Sequence, residues 1–473
     1  MMNGKAGMAM EVRDNSAQYR KMSETPVSRL VSTLAVPSTI TMLITSVYNM
    51  ADTFFVSQLG NSATGAVGVI FSLMAIIQAI GFMLGMGSNS LVSRHLGANE
   101  QEKADITASV GFFSALTIGL ALTVAGSLFR TELVYLLGAS ETIAHDAERY
   151  ATYILYAAPL MCATFQMNNV LRGEGRAALG TFAMTTGGLL NIALDPIFIF
   201  GLHLGISGAA IATALSQSVS FCILLSMYLS GRSSIQLRFA HLRGNLRVLP
   251  QIVAVGFPSL CRQGLASLAS VFLNRAVRPY GDAALAAMSV VARVTHFQGC
   301  VMRGLGQGCQ PVAGYNFGAK KYRRVYETIR FTAAASTVVM AVASVVCFIW
   351  APEIIALFRK GDAQVVEIGA FALRINCLAA PLGGLFTTVN MGLQSIGKSQ
   401  KAALLSSCRQ GFFFLPLILV LPARFGLAGA QVAQPVADVM MFLLSIWSYR
   451  GLKQELLSAA EQTDGPADGS GKN

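Results

Sequence analysis

Long runs of apolar and small residues alternate with short charged stretches from residue 30 to residue 449. A helix needs about 20 such residues to cross the hydrocarbon core of a bilayer. Twelve runs meet that length: residues 30–58, 63–93, 106–129, 149–171, 178–200, 207–230, 250–277, 283–314, 331–352, 366–396, 402–422 and 427–449. Turn signals separate them. Leu59-Gly60-Asn61 follows the first run, and Arg172-Gly173-Glu174-Gly175-Arg176 parts the fourth from the fifth. Between the sixth and seventh lies residues 231–249, with Arg232, Arg238, Arg243 and Arg247 and no acid. The pattern predicts an all-α integral membrane protein with twelve transmembrane helices.

Twelve spans put both termini on one side, and the loop charges say which. The even-numbered connections carry Arg94, Lys103, Arg172, Arg176, the four linker arginines, Lys320, Lys321, Arg323, Arg324, Lys398 and Lys401. The opposite loops hold mainly Arg130, Arg278, Arg359, Lys360 and Arg424. Cytoplasmic loops are the ones enriched in Lys and Arg, so both termini are predicted to be cytoplasmic. The organisation that follows is a basic arm at 1–29 (with Lys5 and Arg13), an N-lobe at 30–230 and a cytoplasmic linker at 231–249. A C-lobe at 250–449 and a polar tail at 450–473 complete it, the Gly/Ser/Asp end of the tail reading as disordered.

Composition narrows the function. The 473 residues are 53% hydrophobic and 12% charged, half the charge of a soluble domain at about 25%. The net charge of +12 sits mostly in the loops, so it reports topology and gives no sign of nucleic-acid binding. The eight Cys are widely spaced, with no CxxC and no Cys/His cluster, so neither a metal centre nor a disulfide framework is predicted. No HExxH or GxSxG occurs, and no enzyme activity or cofactor is expected. Residues Gly392 to Ser399 fit the letters of a P-loop. A transmembrane run precedes them where a P-loop needs a strand, so ATP is not an expected ligand.

The chain repeats internally. A shift of 221 positions lays Pro37 on Pro258, Gly60 on Gly281, Leu84-Gly85-x-Gly87 on Leu305-Gly306-x-Gly308, and Gly97-Ala98 on Gly318-Ala319. A shift of 222 pairs Pro159 with Pro381, Asn168 with Asn390 and Gly175 with Gly397, and 221 then returns for Gly205-x-x-Gly208-Ala209 and Gly426-x-x-Gly429-Ala430. Each copy has six spans, an even number, so the copies share one orientation. Two six-helix lobes related by a parallel repeat is a layout of secondary transporters.

Charge inside the spans is the candidate chemistry. Residues 30–93 hold one formal charge, Asp52, and a carboxylate there costs about 2.5–3.5 kcal/mol on insertion scales. Asp195, followed by Pro196, is a second costly acid, in the fifth span. Tyr48 and Asp52 share a helix face by their i,i+4 spacing, as do Asn191 and Asp195. The repeat partner of Asp52 is Leu273, and Asp195 has no acidic partner either. Burying carboxylates in one copy only points to a specialised role in that lobe. Taken alone, Asn191 and Thr213 read as polar residues that bond helices together. The second copy instead carries Arg293, His296, Cys300, Arg303, Gln307 and Gln310 at 3-4-3-4-3 spacing on the eighth span. Arg262, Arg374 and Arg409 lie in its seventh, tenth and eleventh spans, with Asp438 the clear acid nearby. Internal Arg–Asp pairing and the lining of a water-filled cavity are both consistent with these residues.

Taken together, several pieces resemble the MATE (multidrug and toxic compound extrusion) transporters over about residues 25–450. They are Tyr48-Asn49-x-Ala51-Asp52, Gly306-x-Gly308-x-Gln310-Pro311-x-x-Gly314-Tyr315-Asn316, and Asn191-x-x-x-Asp195-Pro196 with Gly205-x-x-Gly208-Ala209-Ala210-x-Ala212-Thr213. The resemblance implies an antiporter that exports organic compounds across the inner membrane in exchange for H⁺ or Na⁺. It implies a coupling cluster at Asp52, Asn191, Asp195 and Thr213 with Tyr48 adjacent, Na⁺ being a candidate ligand of Asp52, Asn191 and Asp195. Some members place acids in the seventh and eighth spans, where this chain has Arg262, Arg275, Arg293 and Arg303. That departure favours coupling in the N-lobe and makes Arg262, Arg293, His296, Arg303 and Gln307 the candidate substrate-cavity residues. The expected partners are a small organic substrate and the lipid bilayer, with the protein a monomer. A lipid-linked oligosaccharide flippase of related architecture is the alternative.

Overall fold

A computed structural model describes residues 17–358 and 362–464. Lys5, Arg13, Arg359, Lys360 and the tail end expected to be disordered lie outside the described residues. The helices are α1 (17–24), α2 (Val27–Ser57), α3 (Asn61–Gly97), α4 (Gln101–Leu128), α5 (Arg130–Leu136), α6 (Glu141–Gly173), α7 (Ala177–Pro196) and α8 (Ile206–Leu229). The second copy follows with α9 (Leu249–Val277), α10 (Asp282–Gly318), α11 (Tyr322–Ile349), α12 (Ala351–Phe358), α13 (Ala363–Ala379), α14 (Gly383–Ser395), α15 (Ser399–Ser407) and α16 (Leu415–Asp464).

Twelve spans emerge from these elements among the described residues. A 3-10 turn, Ala380–Leu382, joins α13 to α14 into the tenth span. A π-helical stretch, Cys408–Phe414, joins α15 to the start of α16 as the eleventh. Gly426, at φ 61° and ψ −143°, breaks α16, and the helix beyond it is the twelfth. By length and apolarity alone ten helices qualify as spans, because α6 falls short and residues 399–463 register as one. The apolar run of α6 is itself diluted by Tyr150, Tyr153, Tyr156, Gln166, Asn168 and Asn169, and a polar stem with Glu141, His145, Asp146, Glu148 and Arg149 precedes it.

The repeat extends to backbone conformation. Left-handed residues recur at the same offsets: Gly60 and Gly281, Asn99 and Lys320, Gly205 and Gly426 at 221, Gly175 and Gly397 at 222. Gly205 and Gly426 share nearly one conformation, at φ 57° and φ 61°. The short helices α5 and α12 also begin 221 positions apart. The polar tail is helical from Gly451 to Asp464. Leu452, Leu456 and Ala460, spaced by four, are all buried, and Leu452 and Leu456 pack in a cluster with Val325, Ile329, Ala402 and Leu405. The linker likewise contains short 3-10 turns, Phe239–Leu242 and Leu246–Val248.

The chain forms two compact units. One comprises Val36–Val92 and Gln101–Ser267; the other takes the described residues up to Ala35, Ser93–Glu100, and those from Leu268 onward. The core of the first unit gathers Ile70, Ile77, Leu84, Tyr150, Ile154, Met161 and Ile252. Within it the linker is fixed by hydrogen bonds. Glu174 accepts from Ser233 Oγ (2.6 Å) and from the Ser234 amide (2.9 Å), while Asp105 accepts from the Gln236 amide (3.0 Å). In the second unit Met288, Val291, Ile355, Leu373, Phe414 and Ile418 form a core. There the last turn of α1 and Thr25 after it are held by their backbone carbonyls. Asn316 Nδ2 donates to Met22 O (3.1 Å), Lys321 Nζ to Ser23 O (3.2 Å) and Arg324 Nη2 to Thr25 O (2.6 Å).

Candidate functional site

Four helices of the first unit build a buried polar cluster. α2 contributes Tyr48 and Asp52, α6 Tyr150, α7 Asn191 and Asp195, and α8 Thr213, all of them buried. The Tyr150 hydroxyl donates to Asp52 Oδ2 at 3.4 Å. Asn191 Nδ2 donates to Asp195 Oδ1 and to Thr213 Oγ1, both at 3.3 Å. The two carboxylates are close enough to interact electrostatically. Asp52 Oδ1, Asp195 Oδ2 and Asn191 Oδ1 are buried without a hydrogen-bond partner. No Lys, Arg or His pairs with either acid among the described residues.

Local sequence explains the placement. Pro196 has no backbone N–H to continue the α-helical ladder, and after Asp195-Pro196 the chain passes into a π-helical stretch, Ile197–Gly201. Gly205 then reverses the chain into α8. A Cβ on Gly208 would meet Phe198 O at 2.6 Å, so only glycine lets α8 lie this close to the π-helical turn. Gly187 and Gly188 keep the facing side of α7 small. They border a narrow cavity lined also by Tyr48, Asn191, Thr213 and Gln217, of about 10 Å³. That volume is room for about one water molecule, so the space beside Asn191 and Thr213 suits a water or a bare ion and not an organic molecule. Two carboxylates with amide and hydroxyl oxygens are hard donors, the kind a cation such as Na⁺ takes.

The second unit fills the equivalent place differently. The 221-residue shift carries Thr213 to Gln434 and Gln217 to Asp438, and it carries Gly188 to Arg409. Arg409 grips Asp438 through Nε to Oδ1 (2.8 Å) and Nη2 to Oδ2 (3.1 Å). Gln434 Nε2 adds a bond to Asp438 Oδ1 at 2.8 Å, and the guanidinium lies over the Phe386 ring at 4.8 Å. Here the cation is part of the protein.

The basic stripe on α10 divides by surroundings. Arg293 and His296 are exposed, Arg303 is half-buried and Gln307 is buried. Arg303 Nη2 donates to Cys300 Sγ at 3.2 Å. Arg374 is engaged elsewhere, donating to Phe348 O at 3.3 Å with its guanidinium over the Phe348 ring. Arg262 lies on α9 in the first unit, where its Nη2 donates to Ser259 Oγ at 3.2 Å. Of the coupling candidates, Asn191, Asp195 and Thr213 meet directly, and Tyr48 and Asp52 share one helix face. Tyr150 went unnoticed in the sequence because a tyrosine in an apolar run reads as core. The repeat held a signal, since its partner at offset 222 is Ala372.

Comparison with known proteins agrees with this architecture. A family model described as MatE matches residues 37–197 and again 258–420, two matches that begin 221 positions apart. The multidrug export protein MepA of Staphylococcus haemolyticus is 25% identical over 434 residues, covering 92% of this chain and 95% of that protein. MepA of Staphylococcus saprophyticus is 27% identical over 414 residues, covering 87% and 91%. Among solved structures, a MATE protein in complex with MaL6 superposes with TM-score 0.88 at 24% identity, over 94% of this chain and 99% of that one. A MOP superfamily transporter from Pyrococcus furiosus, described as having a binding pocket of reverse polarity, superposes at 0.86 and 24% identity, over 93% and 98%. Both likenesses are of fold. With twelve spans, a duplicated six-helix lobe and a family match in each copy, the chain belongs to the MatE family of transporters.

Proposed function

We propose that the protein is a secondary active antiporter that exports organic compounds across the plasma membrane in exchange for H⁺ or Na⁺, by alternating access, with both termini cytoplasmic. Its similarity to multidrug export proteins supports the export of organic molecules. The observation that carries the coupling is the contrast between the two copies. Asp438 has Arg409 as a fixed counter-charge. Asp52 and Asp195 are buried with no cationic side chain beside them and with an unpartnered oxygen each. A buried carboxylate left charged and unpaired is costly, so these two acids require a cation from outside the chain. A bound proton or Na⁺ neutralises them; its departure leaves the costly charged state. Coupling follows if substrate passage requires one state and return the other. An inward-moving monovalent cation gains about 2.3 kcal/mol per 100 mV, enough to drive uphill export.

The test is transport of two fluorescent organic compounds, the cation ethidium and the anion carboxyfluorescein, by proteoliposomes under an imposed pH or Na⁺ gradient, coupling being read on whichever is exported. The Asp52→Asn variant is expected to lose gradient-driven efflux at least tenfold while inserting normally in the membrane. Efflux by that variant at the wild-type rate sinks the coupling assignment. Which of the two gradients drives the wild type identifies the ion.

A further inference from the structure

We infer that the exported substrate is an organic anion, its negative group received by Arg293, His296 and Arg303 on α10. This rests on the transporter reading above and adds to it the charge of the cargo.

Four observations carry it. First, these residues share one face of α10, and the cations on that face are uncompensated. Arg293 makes no ion pair or hydrogen bond among the described residues, and Arg303, within electrostatic range of His296, hydrogen-bonds to the Cys300 thiol and pairs with no acid among the described residues. The acid on α10 is Asp282, in its first turn, about 16 Å along the axis from Arg293 at 1.5 Å per residue. Second, the nearby cations that have a structural task are already engaged, Arg409 with Asp438 and Arg374 with Phe348. Third, the fold does not need charge here. The repeat partners on α3 are Ser72 for Arg293, Ala75 for His296, Ala79 for Cys300 and Phe82 for Arg303. The same helix is built in the first copy without a cation at any of these positions. Fourth, Arg293 lies within the apolar run 283–314 and is exposed. An unpaired guanidinium is not stable against hydrocarbon, so the face it occupies borders water.

A water-lined stripe of unneutralised cations attracts anions and repels organic cations. Guanidinium binds a carboxylate, sulfonate or phosphate through two parallel N–H donors. Arg303 and Arg293 are ten residues apart, about 15 Å along the helix. In the proposed orientation Arg303 is nearer the cytoplasm, so an anion held there has a second guanidinium ahead of it on the way out. The acids of the first lobe then handle only the coupling cation and never contact the cargo.

The experiment compares carboxyfluorescein, an organic anion, with ethidium, an organic cation. Binding to purified full-length protein is read by fluorescence anisotropy, and export is read in proteoliposomes under an imposed gradient. The wild type is expected to bind and export carboxyfluorescein at least tenfold better than ethidium. Arg293→Gln and Arg303→Gln should each weaken carboxyfluorescein binding tenfold or more, with Arg303→Lys retaining part of it. Asp52→Asn should keep carboxyfluorescein binding and lose its export. Ethidium handled as well as carboxyfluorescein overturns the inference. So does wild-type protein that binds no carboxyfluorescein, or binding that is unchanged in both Gln variants. Binding that follows the predicted charge pattern while export ignores every gradient removes the antiporter reading and leaves the anion site standing.

Discussion

Asp52 and Asp195 were legible from sequence because a charge stands out in an apolar run. Their surroundings were not. Whether a buried acid has a counter-ion depends on which helices meet, and neither spacing nor composition reports that. Tyr150, which donates to Asp52, lies 98 residues away in sequence. Glu174 was legible only as one charge among several in a loop. It proves fully buried, receiving hydrogen bonds from both Ser233 and Ser234. Burial pushes its carboxyl up from the ordinary 4.5 to about 7, against the opposing pull of Ser233, Ser234 and Arg176. A folded-state value above the unfolded one means that the folded protein holds the proton more tightly. The resulting stability is complete below about pH 4.5 and is lost as pH rises through about 7, to a total of roughly 3 kcal/mol. Glu174→Gln has no proton to lose. The melting temperature of this variant minus that of wild type should therefore increase between pH 4.5 and 7.5 and then level off. A difference that is flat over that range would show the Glu174 carboxylate to be as comfortable folded as unfolded.

The helices were largely visible as apolar runs, and their ends were not. Helix α6 outruns its apolar segment because a helix continues into water whenever its polar residues tolerate it. The tail helix was hidden by its polarity, although Leu452, Leu456 and Ala460 carried the periodicity that holds it down. Glycines were visible but uninterpretable, since composition does not say which ones mark a close approach. In α9 the structure separates two of them. A Cβ on Gly256 would overlap the Met83 carbonyl of α3, whereas one on Gly264 meets nothing within 4 Å. The obstacle at Gly256 is backbone and cannot rotate away. Gly256→Ala should cost about 1–3 kcal/mol through forced separation of α9 and α3. Gly264→Ala should be neutral or stabilise by up to about 1 kcal/mol, because alanine is the better helix former. Thermal unfolding of the two variants in one detergent checks both, and equal melting temperatures would refute the close packing of α9 on α3.

The duplication makes the molecule its own control. Two copies of one six-helix plan share left-handed turns, the short helices α5 and α12 and glycine positions, so whatever differs between them is not demanded by the fold. In one copy the polar position between the last helices is an internal ion pair; in the other it is a set of acids awaiting a cation. These arrangements should fail in opposite ways. Arg409→Met leaves Asp438 buried and unpaired, a loss of about 3 kcal/mol at the lower end of the range for broken buried pairs, since the Arg409 side chain is 30% exposed. Restoring neutrality with Arg409→Met/Asp438→Leu should recover most of that stability, and the folded fraction of both variants should retain gradient-driven transport. Asp52→Asn, which removes a costly charge and keeps the side-chain shape, should leave the melting temperature unchanged or raised while transport is lost. Paired melting and transport measurements on the three variants separate the roles. If the Arg409 variants lose coupling at full stability, the second copy also takes part in ion exchange and the division of labour between the lobes is wrong.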